Sequence, residues 1–225
     1  MISLHETCQQ YVARRLSEGW KVVWQSGYHL ILSSPDGNTL RPVDLRNDVE
    51  TLRPNAAGDV TQLTPLSGTN FSNVDEVEAD EDTTYVVNQT DATDKYDLYN
   101  LPAHSVGSGT INFIKVYIRV RCLTYNDYGY SRTKIKTGGT EYNGVSAYLI
   151  NSYVTRNTQY SINPKTTVAW TWDDIDALQI GVRLDKDTYD ARCTQVYVEV
   201  DYTPAAGLQS KSANMAAKLM AAGVI

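Results

Sequence analysis

Residues 109–122, GTINFIKVYIRVRC, and residues 194–202, TQVYVEVDY, decide the fold of this chain. In each stretch, apolar side chains recur at every second position and share one face: Ile114, Val116, Ile118, Val120 and Cys122, then Val196, Val198, Val200 and Tyr202. This period is typical of an antiparallel strand that has one face on a core and the other in water. The sequence therefore predicts a mainly β protein built on an antiparallel β-sandwich.

The same pattern of short strands and turns extends over residues 83–204. Turn signals at regular intervals between short strands are typical of a sandwich or jelly roll. Near the end of this region, Thr171 is placed to cap a short helix with Asp173 and Asp174 in its first turn, where the helix dipole favours acidic side chains. We therefore expect residues 83–204 to form a jelly-roll-like β-sandwich domain.

Residues 1–53 form a small α+β module in this interpretation. Over residues 2–18, apolar side chains recur at helical spacing: Leu4, Cys8, Tyr11, Val12 and Leu16. Strands at 20–25, 28–33 and 39–45 follow as a short β-meander, with an Asp-Gly turn signal before the third. About fifty residues make a small core, so we expect an anchoring module that binds a partner through Leu4, Tyr11 and Leu16.

Two further segments lack a strand pattern. Residues 54–82 are polar, contain six carboxylates within residues 75–82, and are predicted to be an acidic linker. Residues 205–225 are small and apolar, and 212–222 have the spacing of a helix with Met215, Leu219 and Met220 on one face. Because a helix this short is marginal alone, we expect these three residues to bind a partner as well.

Composition excludes several classes of protein. The net charge of −6 and pI near 5.0 argue against nucleic-acid binding, which relies on clustered lysine and arginine. No apolar run reaches the length of a membrane span, and residues 1–7 lack the order of a secretory signal, so we expect synthesis in a cytosol. The three cysteines, Cys8, Cys122 and Cys193, are an odd number and do not have the spacing of metal ligands. The strand alternation places Cys122 inward and Cys193 outward, which argues against a disulfide between them. We therefore expect all three to be reduced thiols.

Candidate catalytic residues are few. His104 and Ser105 are adjacent and would point to opposite faces of a strand, so they do not predict a nucleophile and its base. Asp173, Asp174 and Asp176 are explained as helix charges, with paired catalytic carboxylates as the alternative. A cation held by Asp185, Asp187 and Asp190 is a further alternative. No catalytic, cofactor or metal motif is present, so the sequence predicts a protein that is not an enzyme and needs no cofactor or metal.

Aromatic residues offer one binding alternative. There are 16 tyrosines against 2 phenylalanines, which suits strand faces that are half covered or that meet another subunit. Trp170 and Trp172 flank a strand–helix junction, where core packing is the expected role. The alternative is that they stack on sugar rings together with Tyr128 and Tyr130.

The order of motifs along the sandwich resembles a β-sandwich that is common in structural proteins of tailed bacteriophages. The resemblance covers about residues 83–204 and rests on five segments: 94–102, 109–121, 137–142, 170–182 and 196–204. It implies a non-enzymatic virion protein, such as a capsid decoration protein or a neck or tail appendage, found in the virion after synthesis in the host cytoplasm. Expected partners are other virion proteins and further copies of the chain, with a trimer as the expected oligomer. The alternative function is a tail-fibre or receptor-binding lectin-like module that contacts host glycans.

Overall fold

The computed structural model describes residues 8–26, 29–44, 48–89, 94–106, 108–124, 129–185 and 190–204. The chain forms two compact units. The first comprises Met1–Val49, Val106–Ile111 and Asp201–Ile225, and the second comprises Glu50–Ser105 and Asn112–Val200. No helix within the described ranges is long and apolar enough to cross a membrane.

The first unit contains one helix and a three-stranded antiparallel sheet. Helix α1 (Cys8–Ser17) precedes β1 (Lys21–Ser26), β2 (His29–Ser33) and β3 (Leu40–Asp44), and the sheet order is β1-β2-β3. The observed strands therefore lie within one or two residues of the predicted meander. Leu32 on the central strand is fully buried.

Two six-stranded sheets form the β-sandwich. The first sheet contains β5 (Ala56–Thr61), β8 (Lys95–Asn100), β10 (Tyr130–Thr137), β11 (Thr140–Asn143), β12 (Ala147–Tyr148) and β14 (Gln179–Asp185). The second contains β4 (Asp48–Leu52), β6 (Thr64–Pro65), β7 (Val86–Asn88), β9 (Gly109–Cys122), β13 (Val154–Tyr160) and β15 (Ala191–Pro204). The first sheet has the order β11-β10-β14-β8-β5, with β12 paired to β10, and the second has the order β13-β9-β15-β7-β6, with β4 paired to β15. Except at β10–β12, consecutive strands from β7 onward alternate between the two sheets, as in a jelly roll.

The core consists of the inward faces of both sheets. The predicted inward residues of β9 from Ile114 to Cys122 are at most 1% exposed, and Val196, Val198 and Val200 of β15 are fully buried. The facing sheet contributes Ile180, Val182 and Leu184, which are also fully buried. The prediction of a mainly β, antiparallel sandwich is confirmed because this alternation buries one continuous apolar layer.

Residues 54–82 are not a linker, which corrects the prediction. They contain β5 in one sheet, β6 in the other and a short 3-10 helix, Phe71–Asn73. Asp97 is fully buried and accepts hydrogen bonds from the backbone N–H groups of Gln62 (2.7 Å) and Leu63 (2.9 Å). Tertiary hydrogen bonds, rather than an apolar period, therefore hold this segment in the sandwich.

Cys193 points into the protein and not outward, which is a second correction. Four consecutive residues of β15 are buried: Cys193, Thr194, Gln195 and Val196. The loop that follows the 3-10 helix covers the strand here, since Gln195 Nε2 donates to the carbonyl of Glu76 at 2.8 Å and the Val196 N–H donates to that of Val74 at 2.8 Å. A strand covered on both faces loses the alternation in burial on which the prediction relied. Cys122 and Cys193 are both thiols.

Candidate functional site

Most of the predicted anchoring residues lie outside the part of the chain that the structure describes. Leu4, Met215, Leu219 and Met220 lie outside the described residues, and so does the expected tail helix. Tyr11 lies in α1, and nothing is described of its side chain. Leu16, in the same helix, is 45% exposed. Partner binding by these six residues therefore stays a prediction.

His104 and Ser105 belong to two separate contacts. His104 Nδ1 lies 2.7 Å from Asp176 Oδ1, and the imidazole stacks on Trp172 at a centroid distance of 4.9 Å. Ser105 Oγ instead donates to Glu50 Oε1 at 2.7 Å. The two side chains are therefore not a nucleophile and its base, although they lie in a loop and not in the strand that the prediction assumed.

The aspartates of the short helix α2 (Trp172–Asp176) have structural contacts. Asp174 and Thr171 form a reciprocal capping box, as the sequence predicts for Thr171. Hydrogen bonds from His104 lower the pKa of Asp176. Asp185 pairs with Arg132 and with Arg183, whose Nε lies 2.9 Å away. Asp187 lies outside the described residues, and within those residues no three metal-ligating side chains form a cluster.

The aromatic residues proposed as sugar platforms have different surroundings. Trp170 is 4% exposed and donates from Nε1 to the carbonyl of Tyr160 at 3.0 Å, so core packing is confirmed for it. Tyr130 lies against Tyr148 with a centroid distance of 4.3 Å, and Tyr148 is 55% exposed. Tyr128 lies outside the described residues.

A cleft of about 450 Å³ lies on the outward face of the second sheet. One wall is the loop at residues 77–81, and the floor is formed by outward side chains of β9, β13 and β15 together with Arg53, which follows β4. The polar and aromatic lining includes Arg53, Glu81, Arg119, Gln195, Tyr197 and Glu199. We call this site the outer cleft. Its volume lies within the range of small-molecule sites in proteins.

A stack of two tyrosines stands at the outer cleft. Tyr117 on β9 and Tyr197 on the neighbouring β15 have ring centroids 4.6 Å apart and planes 9° apart. The guanidinium of Arg53 lies over Tyr197, 4.9 Å from its centroid. Burial, followed by the hydrogen bond to Glu199, raises the pKa of Tyr117, and burial also raises the pKa of Tyr197. Because Tyr117 covers one ring face of Tyr197, a ligand meets the hydroxyl edges of this stack.

The wall of the outer cleft is held by ion pairs and hydrogen bonds. Arg119 Nε donates to Glu81 Oε1 at 2.8 Å, and Arg119 also pairs with Glu81 through Nη2. Glu81 has a φ of +59°, a left-handed conformation that costs a non-glycine residue of order 1 kcal/mol or more. The next residue, Asp82, pairs with Arg121 (3.1 Å) and Arg192 (2.9 Å). The carboxylates that suggested a solvated linker thus fix the loop on the sheet.

Three charged groups of the outer cleft, Arg53, Glu78 and Glu199, have no ion-pair partner in the described part of the chain, and hydrogen bonds hold two of them. Arg53 donates to the backbone carbonyls of Glu76 (2.6 Å) and Val77 (3.3 Å). Glu199 Oε2 accepts from the Tyr117 hydroxyl at 2.6 Å. The cleft therefore presents a cation and a carboxylate that are each held in place by uncharged groups.

Sequence reasoning did not find the outer cleft. The available signal was the polar face of the two deciding strands, where Tyr117 and Arg119 alternate with the core residues of β9, and Tyr197 and Glu199 with those of β15. Tyrosine and charge on one sheet face indicate a surface that meets a partner or ligand. The wall of the cleft could not be predicted, because residues 77–81 belong to the segment that was expected to be a linker.

No protein-family model and no curated protein matches this chain. Among solved structures, it is similar to the C-terminal family 6 carbohydrate-binding module of a laminarinase from Zobellia galactanivorans, at 9% identity and a TM-score of 0.37, over 68% of this chain and 99% of that one. It is also similar to the family 22 carbohydrate-binding and catalytic modules of a Clostridium thermocellum xylanase, complexed with xylohexaose, at 10% identity and a TM-score of 0.41, over 72% of this chain and 30% of that one. With TM-scores below 0.5, the ligands named for these proteins carry no argument about this chain.

Proposed function

We propose that this chain is a glycan-binding protein and that the outer cleft is its binding site. The observation that supports the proposal is the combination of a cleft of about 450 Å³ with a tyrosine, an arginine and a carboxylate fixed in its lining. Ligand sites are concave and contain a few polar groups held in position. Sugars present hydroxyls that donate and accept hydrogen bonds, and this lining offers both acceptors and donors.

Preorganisation of the lining supports the same proposal. Arg53 is held by two carbonyls and by the ring of Tyr197, and Glu199 is held by Tyr117. Side chains that are already fixed lose little conformational entropy when a ligand binds. In this proposal the binding residues are Arg53, Tyr197 and Glu199, with Tyr117 and Arg119 as positioning residues.

A virion role is the second candidate, and one observation in the first unit favours it. Several large apolar side chains there are between 42% and 55% exposed: Leu16, Val22, Val23 and Leu40. Exposed apolar residues on a small unit suit attachment to a partner. Together with the sequence resemblance, this supports a virion protein that is anchored by its N-terminal module, forms homo-oligomers such as a trimer, and contacts host glycans through its sandwich.

Glycan binding is tested with the full chain on a glycan array, followed by titration calorimetry of the bound glycans. We expect Tyr197→Ala to reduce affinity by at least tenfold, because it removes the ring that supports Arg53. Tyr148→Ala is the matched control, since it removes an exposed tyrosine of the other sheet that does not line the cleft. A blank array, or equal loss of affinity in both variants, contradicts the proposed site.

A further inference from the structure

We propose that the outer cleft selects neutral glycans over acidic ones and that Arg53 and Glu199 read sugar hydroxyls as a donor and an acceptor. This inference rests on the proposed glycan-binding function and adds the class of ligand. It follows from the charges of the lining and from the hydrogen-bond donors of Arg53 and acceptors of Glu199 that are not used within the described residues.

The charges of the lining disfavour an anionic ligand. Two arginines, Arg53 and Arg119, line the cleft together with three glutamates, Glu78, Glu81 and Glu199. Arg119 is already neutralised by Glu81. Glu81 is neutralised in the same pair, so a sugar carboxylate would meet one remaining cation, Arg53, and two remaining carboxylates, Glu78 and Glu199. Like charges within a few ångströms repel, and the repulsion weakens as salt is added.

The hydrogen-bonding capacity of Arg53 and Glu199 favours hydroxyl groups. Arg53 has five N–H donors, and within the described residues it donates through Nη1 to the carbonyl of Glu76 and through Nη2 to that of Val77. Glu199 accepts from Tyr117 at Oε2, and Oε1 accepts no hydrogen bond from the described residues. A hydroxyl both donates and accepts, so neighbouring sugar hydroxyls satisfy the arginine and the carboxylate together. An ionised sugar carboxylate only accepts and leaves Glu199 without a donor.

Gln195 and the tyrosines add neutral polar groups to the same site. Gln195 Nε2 is occupied by the carbonyls of Glu76 (2.8 Å) and Val77 (3.1 Å), which fixes the wall of the cleft next to Arg53. Burial raises the pKa values of Tyr117 and Tyr197 further above the ordinary value of 10.0, so both are neutral hydroxyls at neutral pH.

The test uses the full chain and matched pairs of polysaccharides. Neutral glucans, mannans and galactans are compared with forms of the same polymers oxidised at C6 to carboxylates, by calorimetry at low and high salt. We expect the neutral member of a bound pair to bind at least tenfold more tightly. Added salt should improve binding of the carboxylated member and leave that of the neutral member unchanged.

Glu199→Gln separates this inference from a general role in folding. The change keeps the shape but removes the charge, so we expect weaker binding of the neutral polymer and a smaller preference over its carboxylated form, with the melting temperature nearly unchanged. Asp173→Asn removes one carboxylate from α2, outside the cleft lining, and should leave the preference intact. Equal or tighter binding of carboxylated polymers overturns the inference and leaves glycan binding standing. Failure to bind any polymer overturns both.

Discussion

The hydroxyl of Tyr117 donates a hydrogen bond of 2.6 Å to Glu199 Oε2, and the two residues are 82 positions apart in the sequence. They stand on the neighbouring strands β9 and β15, with their side chains on the outward face of the second sheet. The contact fixes the carboxylate of the outer cleft and also fixes the tyrosine that stacks on Tyr197. This hydrogen bond between neighbouring strands thus holds side chains of the candidate site in position.

This contact predicts a loss of stability at alkaline pH. Burial and Glu199 raise the pKa of Tyr117 above its ordinary value of 10.0. A raised folded-state pKa contributes stability that is fully present below the unfolded pKa and is lost as pH rises through the folded pKa. We therefore expect the free energy of unfolding to fall as pH rises above 10, measured by urea unfolding at successive pH values. Glu199→Gln should make this fall shallower, and identical pH profiles for the two proteins would contradict the assigned contact.

Removing the carboxylate of Asp97 should strongly destabilise the sandwich. Besides the two backbone N–H groups of the 54–82 segment, Asp97 Oδ2 accepts from Asn70 Nδ2 at 2.6 Å and from the Tyr99 hydroxyl at 2.9 Å. Asp97→Ala leaves these buried donors unsatisfied, and we expect a cost of about 3 kcal/mol or more in the free energy of unfolding. Chemical denaturation measures it, with Asp173→Ala as a surface control. A cost below about 1 kcal/mol would show that water replaces the carboxylate.

The thiol of Cys193 should be inert in the native protein. Burial is the main cause that raises its pKa to about 12, so the reactive thiolate is scarce at neutral pH. We expect iodoacetamide to leave Cys193 unmodified in native protein at pH 8 and to modify it in denaturant, as read by peptide mass spectrometry. Rapid labelling of native protein would mean that the loop over β15 opens on the time scale of the reaction.

Local sequence determined the elements whose contacts lie within a few residues. The alternation of residues 109–122 placed Ile114 to Cys122 on the core face, because a strand turns successive side chains to opposite sides whatever it packs against. The capping box joins Thr171 and Asp174, which are three positions apart, so the local sequence is enough to predict it. The same holds for the short meander of the first unit, whose turns join neighbouring strands.

Tertiary structure alone decided the outer cleft, the burial of Cys193 and the place of residues 54–82 in the sandwich. Asp97 binds backbone groups 34 and 35 residues away, and Gln195 binds the carbonyl of Glu76 across 119 residues. Such contacts leave no period in the sequence, since each joins one polar group to another that only folding brings near. A run of carboxylates is solvated when nothing faces it, and it becomes the wall of a cleft when the arginines of a folded sheet lie opposite.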